Sequence, residues 1–147
     1  MAHKIILVSE KDYPEILTVW EASVRATHHF LAEEDLLFYK AAIRDTYLPS
    51  GMLRLFCIRE DNGDMAGFTG LSNDAIEMLF IRPDLRGAGI GKALLRYAVM
   101  EQQMTKVDVN EQNGQALGFY EHEGFHITGR SELDASGKPY PILHLSR

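Results

Sequence analysis

The stretch Arg82-Pro83-Asp84-Leu85-Arg86-Gly87-Ala88-Gly89-Ile90-Gly91-Lys92 sets three alternating glycines between an apolar run and a helical pattern. Before it, Ala75 to Ile81 reads as a strand, which Pro83 ends. After it, Ile90, Ala93, Leu94, Tyr97 and Ala98 recur at the spacing of one helix face. Glycine lets the backbone take unusual angles and approach a ligand with no Cβ in the way. Successive N–H groups can then converge on an anion at the helix N-terminus, where Arg86 and Lys92 add positive charge. This chemistry suits a pyrophosphate. The structural alternative is a plain chain reversal, but three glycines with flanking Arg and Lys at a strand-to-helix junction favour the phosphate.

Two familiar phosphate motifs fail here. A P-loop ends Gly-Lys-Ser/Thr, yet Ala93 follows Lys92, and Arg86 stands where its first glycine belongs. The dinucleotide fingerprint needs a third glycine where Lys92 stands.

Working outward, Ile5 to Val8 reads as a first strand. A helix follows, with Tyr13, Ile16, Leu17, Trp20 and Val24 on one face, Asp12 as N-cap and Pro14 in the first turn. A loop over 27–31 leads to a second helix over 34–47, ended by Pro49-Ser50-Gly51. Strands over 53–59 and 66–71 flank the hairpin signal Asp61-Asn62-Gly63-Asp64. Past the glycine loop and its helix come a short strand over 106–109 and a helix over 113–123 stopped by Gly124. Strands over 125–133 and 140–145 finish the chain. The order β α α β β β α β α β β predicts one mixed α/β domain over 1–147, with seven strands, four helices and a right-handed parallel crossover after the strand at 75–81.

The 147 residues, 46% of them hydrophobic, suffice for a core without disulfides or metals. A formal charge of -6 leaves no basic surplus for a nucleic-acid backbone and slightly favours a basic acceptor. Cys57 is the lone cysteine, so neither an intramolecular disulfide nor a Cys-rich zinc site is expected. Met1-Ala2-His3-Lys4 leads into an apolar run too short for a signal core or a membrane span, which predicts a soluble cytoplasmic protein.

Arg86-x-x-Gly89-x-Gly91 resembles the acyl-CoA signature of the GCN5-related N-acetyltransferases (GNAT). Met78-Leu79-Phe80-Ile81 before it and Ile90 to Leu95 after it fit, as does a second block, Val107 to Asn113, Ala116, Gly118-Phe119-Tyr120-Glu121 and Gly124-Phe125. In detail, Ala26-Thr27-His28, Phe30-Leu31 and the ending from Gly129-Arg130-Ser131 to Tyr140-Pro141 are similar to the small bacterial YjaB-like acetyltransferases.

The resemblance implies an acetyl-CoA-dependent N-acetyltransferase in which an amine attacks the thioester directly in a ternary complex. The pantetheine arm is expected between two splayed parallel strands, on backbone around Leu79, Phe80 and Ile81. The N–H groups of Arg86, Gly87, Ala88, Gly89, Ile90, Gly91 and Lys92 would hold the pyrophosphate, and Asn113 would reach the pantetheine or cap its helix. Tyr120 matches the family's general acid, which protonates the leaving thiolate; its alternative is aromatic packing. Asp108, Glu77 or water would receive the amine's proton, and either carboxylate is alternatively a solvent-facing strand residue. His28 and His29 fall in the loop that shapes the acceptor side, where either could orient substrate or shuttle a proton. No metal is expected. The acceptor is a small amine or a peptide or protein, and the chain a monomer or homodimer. The alternatives are an acyl-CoA-binding sensor with little catalysis, or a transferase using another acyl-CoA.

Overall fold

The computed structural model describes residues 3–147; the opening Met1-Ala2 lies outside the described residues. The expected order of elements is found: β1 (Ile5–Leu7), α1 (Tyr13–Thr27), α2 (Glu33–Ala42), β2 (Arg54–Arg59), β3 (Met65–Leu71), β4 (Ala75–Ile81), α3 (Ile90–Arg96), β5 (Lys106–Asn110), α4 (Gly114–His122), β6 (His126–Ser131) and β7 (Ile142–Ser146). The strands form a seven-stranded sheet in the order β1-β2-β3-β4-β5-β7-β6.

The helices at α1 and α3 bury most of the face that their periodicity marks out. Ile16, Trp20 and Val24 of α1 join Leu36 of α2 over Leu55, Cys57, Phe68 and Met78 of the sheet. The other face carries α3 and α4: Leu95 and Tyr120 pack with Val107, Val109, Leu143 and Leu145, and Ile90 and Leu94 with Ile58 and Ala66. Alternation along β5 therefore sends Val107 and Val109 into this second core and Asp108 to the face of α1 and α2.

Three local readings are corrected. Asp12 stands at the N-cap of α1 but makes no cap hydrogen bond there. Its carboxylate instead accepts from the Ser9 backbone N–H at 3.0 Å and pairs with Arg59. The second helix is not one α-helix to residue 47: Ile43–Tyr47 form a π-helical turn in which the Leu48 N–H reaches the Ile43 carbonyl at 2.9 Å. That wider turn lets Ile43 and Leu48 both enter the core. The last two strands are shorter than expected, because residues 132–141 leave the sheet in a loop that folds over α2.

The feature that positions the site is the junction of β4 and β5. Among the described residues they are the only parallel neighbours, and they pair at just two positions, Ala75 with Lys106 and Ile76 with Val107. Beyond those pairs the strands part and leave the sheet open in its middle.

Candidate active site

The opening between β4 and β5 is a cleft of about 640 Å³. Strand alternation settles which backbone groups face it. The Arg82 N–H donates to the Ala66 carbonyl on β3, and the Met78 carbonyl accepts from the Thr69 hydroxyl on the same side. Residues of the opposite parity, Leu79 and Ile81, therefore turn their N–H and C=O groups into the gap. Phe80 contributes its ring instead, packed on Trp20 and Phe68 at centroid distances of 6.5 and 5.8 Å.

At one end of the cleft lies the glycine loop. Gly87 and Gly89 take left-handed φ values of 84° and 82°, which turn the chain into α3. Arg86, Gly87, Gly89, Gly91 and Lys92 line the cleft, whereas Ala88 and Ile90 do not. The Ala88 N–H is turned back to the Leu85 carbonyl at 3.3 Å, and the Ile90 side chain is buried in the core. The Arg86 N–H likewise approaches the Pro83 carbonyl, at 3.4 Å, while its guanidinium reaches Gln115 of α4 at 2.8 Å. The N–H groups of Ile90, Gly91 and Lys92 precede the first intrahelical bond of α3, Ala93 to Gly89, and remain available.

Asn113 is the helix cap that one of its two readings expected. Its Oδ1 accepts from the Ala116 N–H at 3.1 Å and caps α4, which leaves its amide N–H groups to the cleft it lines. Tyr120, on α4, packs edge-on against Phe119 and Phe125 at 5.2 and 5.7 Å. Burial pushes its phenol well above the ordinary tyrosine range. No buried polar side-chain atom among the described residues lacks a partner, so the unbonded Tyr120 hydroxyl opens on the cleft.

On the other side of the parted strands lies a second cavity of about 300 Å³. The two cavities share His28, Glu77, Met78, Phe80, Asp108 and Asn110. Glu77 accepts from the Ser72 hydroxyl at 2.9 Å, and Asp108 contacts His144 Nδ1 at 2.7 Å. His28 is half-buried, and burial, aided by the neighbouring His29, pulls its imidazole down to about 4. His29 is exposed and lines neither cavity, so of the two expected histidines only His28 lines the cavities.

Several residues of the second cavity escaped sequence reasoning. Tyr39 of α2 donates to Asp134, and Tyr140 donates to Asp35 of α2. Lys138 pairs with Asp35 at 2.9 Å and lies over the Phe38 ring at 4.5 Å. The hydrogen bonds from Tyr140 and Lys138 hold the Asp35 carboxyl below the usual range. These contacts seat the β6–β7 loop on α2 and close the cavity on one side. The i, i+4 spacing of Asp35 and Tyr39 was the one available signal, since it places both on one helix face.

Comparison with known proteins agrees with this architecture. Residues 52–127 match the family described as acetyltransferase (GNAT) domain. The chain is 42% identical over 135 residues to the peptidyl-lysine N-acetyltransferase YjaB of Escherichia coli K12, covering 90% of this chain and 88% of that protein. It is 27% identical to the peptidyl-lysine N-acetyltransferase YiaC of the same organism, covering 90% and 89%. The solution structure of apo-form YjaB from Escherichia coli superposes with a TM-score of 0.88 at 38% identity, covering 99% of this chain and 97% of that one. The PaiA N-acetyltransferase of Thermoplasma acidophilum, solved in complex with coenzyme A, shares the fold at a TM-score of 0.74 and 18% identity, each chain covered in full. With its parted parallel strands, its glycine turn and these relatives, the chain belongs to the GNAT family, among its YjaB-like members, and is an acetyl-CoA-dependent N-acetyltransferase.

Proposed function

We propose that the protein acetylates the ε-amine of lysine in a peptide or protein acceptor, by direct attack within a ternary complex. The observation that carries this reading is the set of residues common to the two cavities, which lets an amine in one meet a thioester in the other. The second cavity suits a lysine side chain. Trp20, Tyr39 and Phe80 offer apolar walls to its aliphatic stem, and Glu77 and Asp108 offer negative charge to its ammonium. The relatives named as peptidyl-lysine N-acetyltransferases support the same acceptor class.

The fit of the first cavity to acetyl-CoA rests on unpaired backbone. Leu79 and Ile81 present strand edge to the pantetheine amides, and the free N–H groups at the start of α3, with Lys92, suit the pyrophosphate. Acetyl-CoA supplies the activated acyl group as a thioester. Glu77 and Asp108 draw the ammonium in, backbone N–H groups at the parted strands polarise the carbonyl, and Tyr120 keeps its proton until charge develops on the departing sulfur.

The test is thiol release from acetyl-CoA with lysyl peptides, free amino acids and polyamines as acceptors. Release that depends on lysyl peptides is expected, and Tyr120→Phe should lower kcat about 100-fold or more while acetyl-CoA binding stays within about twofold. Release driven only by polyamines would overturn the acceptor class, and full turnover by Tyr120→Phe would remove the phenol from the mechanism. Tight acetyl-CoA binding with no release on any acceptor would favour a sensor.

A further inference from the structure

His28 stands where the two cavities meet, and a short relay fixes its ring. The Thr27 hydroxyl donates to the Ser23 carbonyl at 2.8 Å. Having spent its one proton there, it can only accept in its 2.7 Å contact with His28 Nδ1. Nδ1 therefore carries the hydrogen, and in the neutral ring Nε2 holds the lone pair. Phe30 packs against the imidazole at a centroid distance of 5.2 Å and holds it from the other side. Among the described residues nothing bonds Nε2, and no buried side-chain nitrogen or oxygen is left without a partner, so Nε2 opens on the cavities. Burial keeps the ring neutral across the physiological range.

We propose that Nε2 of His28 takes the proton that the acceptor amine sheds as it attacks, with Thr27 and Ser23 as positioning residues. This inference rests on the transferase reading above. The carboxylates are occupied otherwise. Glu77 is engaged by Ser72 and Asp108 by His144, and both suit holding the ammonium before it loses its first proton. In the chemical step the nitrogen lone pair forms the C–N bond and the C–S bond breaks. One N–H proton passes to His28 Nε2, and the Tyr120 hydroxyl gives its proton to the sulfur. The proton gained by His28 and the one lost by Tyr120 cancel through solvent, so amine and thioester become amide and thiol with nothing left over. Burial makes the imidazolium short-lived, which returns the ring to its starting form. The titratable groups around the ring are His29 beside it, Glu77 and Asp108 from the sheet, Tyr39, Asp134 and Tyr140 around the second cavity, and Tyr120 across the first.

Long-range proton–nitrogen NMR of the wild-type protein reads the tautomer directly. The Nδ1–H form is expected for His28, and Thr27→Val should weaken that preference. His28→Asn keeps a donor for Thr27 but has nothing at the Nε2 position. Its kcat should fall about 100-fold, the usual scale of general-base catalysis, with acetyl-CoA affinity within about twofold of wild type. Added imidazole should restore part of the rate of His28→Ala, which a purely structural role would not allow. An Nε2–H tautomer in the wild type overturns the proposal whether or not the variants fold. So does a His28→Asn enzyme as fast as wild type. A wild-type protein that transfers to no amine overturns the transferase reading instead, and is distinguished by wild type and variant being equally silent.

Discussion

Glu77 of β4 and Asp108 of β5 occupy the first register step at which the sheet is no longer paired, one residue past Ile76 and Val107. Both line both cavities, so the floor that the cavities share carries two carboxylates. An ammonium that reaches that floor meets negative charge from both strands.

The double variant Glu77→Gln, Asp108→Asn is therefore expected to raise KM for a lysyl peptide about tenfold at low salt, and less as ionic strength grows. KM for acetyl-CoA should move little. Initial rates at two salt concentrations check this; a peptide KM that ignores both the substitutions and the salt would show that the pair has no part in acceptor recognition.

Asn113 offers a clean separation of fold from binding. Asn113→Asp keeps an oxygen to cap α4, because Asp and Asn are equally good N-caps. It removes the amide N–H groups and places a negative charge beside the cleft. Thermal stability should stay near that of wild type, while the acetyl-CoA Kd rises about 30-fold, since a lost hydrogen bond and a like charge each cost on the order of 1 kcal/mol. Calorimetric titration beside a melting curve decides it, and an unchanged Kd would reduce Asn113 to a cap.

Gly89 and Gly91 are expected to differ. At Gly89 the left-handed φ of 82° strains any side chain, and an alanine there costs roughly 1–2 kcal/mol. At Gly91 an added Cβ would meet the Ile81 and Phe119 side chains at 3.6 and 3.8 Å, ordinary contact distances with no backbone strain. Gly89→Ala should thus lower Tm, whereas Gly91→Ala should keep Tm and weaken only acetyl-CoA binding. Equal Tm losses would contradict this division of roles.

His28 also makes stability depend on pH. Its imidazole titrates near 4 in the fold and at the ordinary value of 6.5 in the unfolded chain. Above 6.5 both states are neutral there and the residue adds no pH dependence. As pH falls from 6.5 toward 4, the unfolded chain takes up a proton that the fold refuses, so stability declines across that window. Between pH 7.5 and pH 5 the wild type should lose about 2 kcal/mol more than His28→Asn in urea unfolding. Parallel losses in the two proteins would show that His28 is not held neutral.

Most of the fold was legible because its punctuation is local. Pro83, the Asn62-Gly63 turn and the glycines at 87–91 each mark a boundary by their own conformational limits, and the apolar spacing between them has one period at a time. The π-helical turns at Ile43–Tyr47 and Tyr97–Glu101 were not legible, since one extra residue per turn leaves the same apolar pattern until tertiary packing selects it. The co-substrate side of the site lies within one strand-loop-helix unit and its neighbouring block, so contiguous residues carry it. The acceptor side does not: Tyr39 and Asp134 are 95 residues apart, and Asp35 and Tyr140 are 105 apart. Likewise His28 and His29 look alike in sequence, and only the end of α1 decides which one turns inward.

The parting of β4 and β5 has a consequence beyond chemistry. The sheet is sewn across its middle by two residue pairs, with α1 and α2 gathered over one half and α4 packed on the other. A molecule that fills the seam supplies the rungs the ladder lacks, and so fastens the halves together as it binds. The melting temperature and protease resistance of the folded chain are then expected to climb with the concentration of acyl donor, so that the donor acts as a missing strand of the fold as well as a reactant.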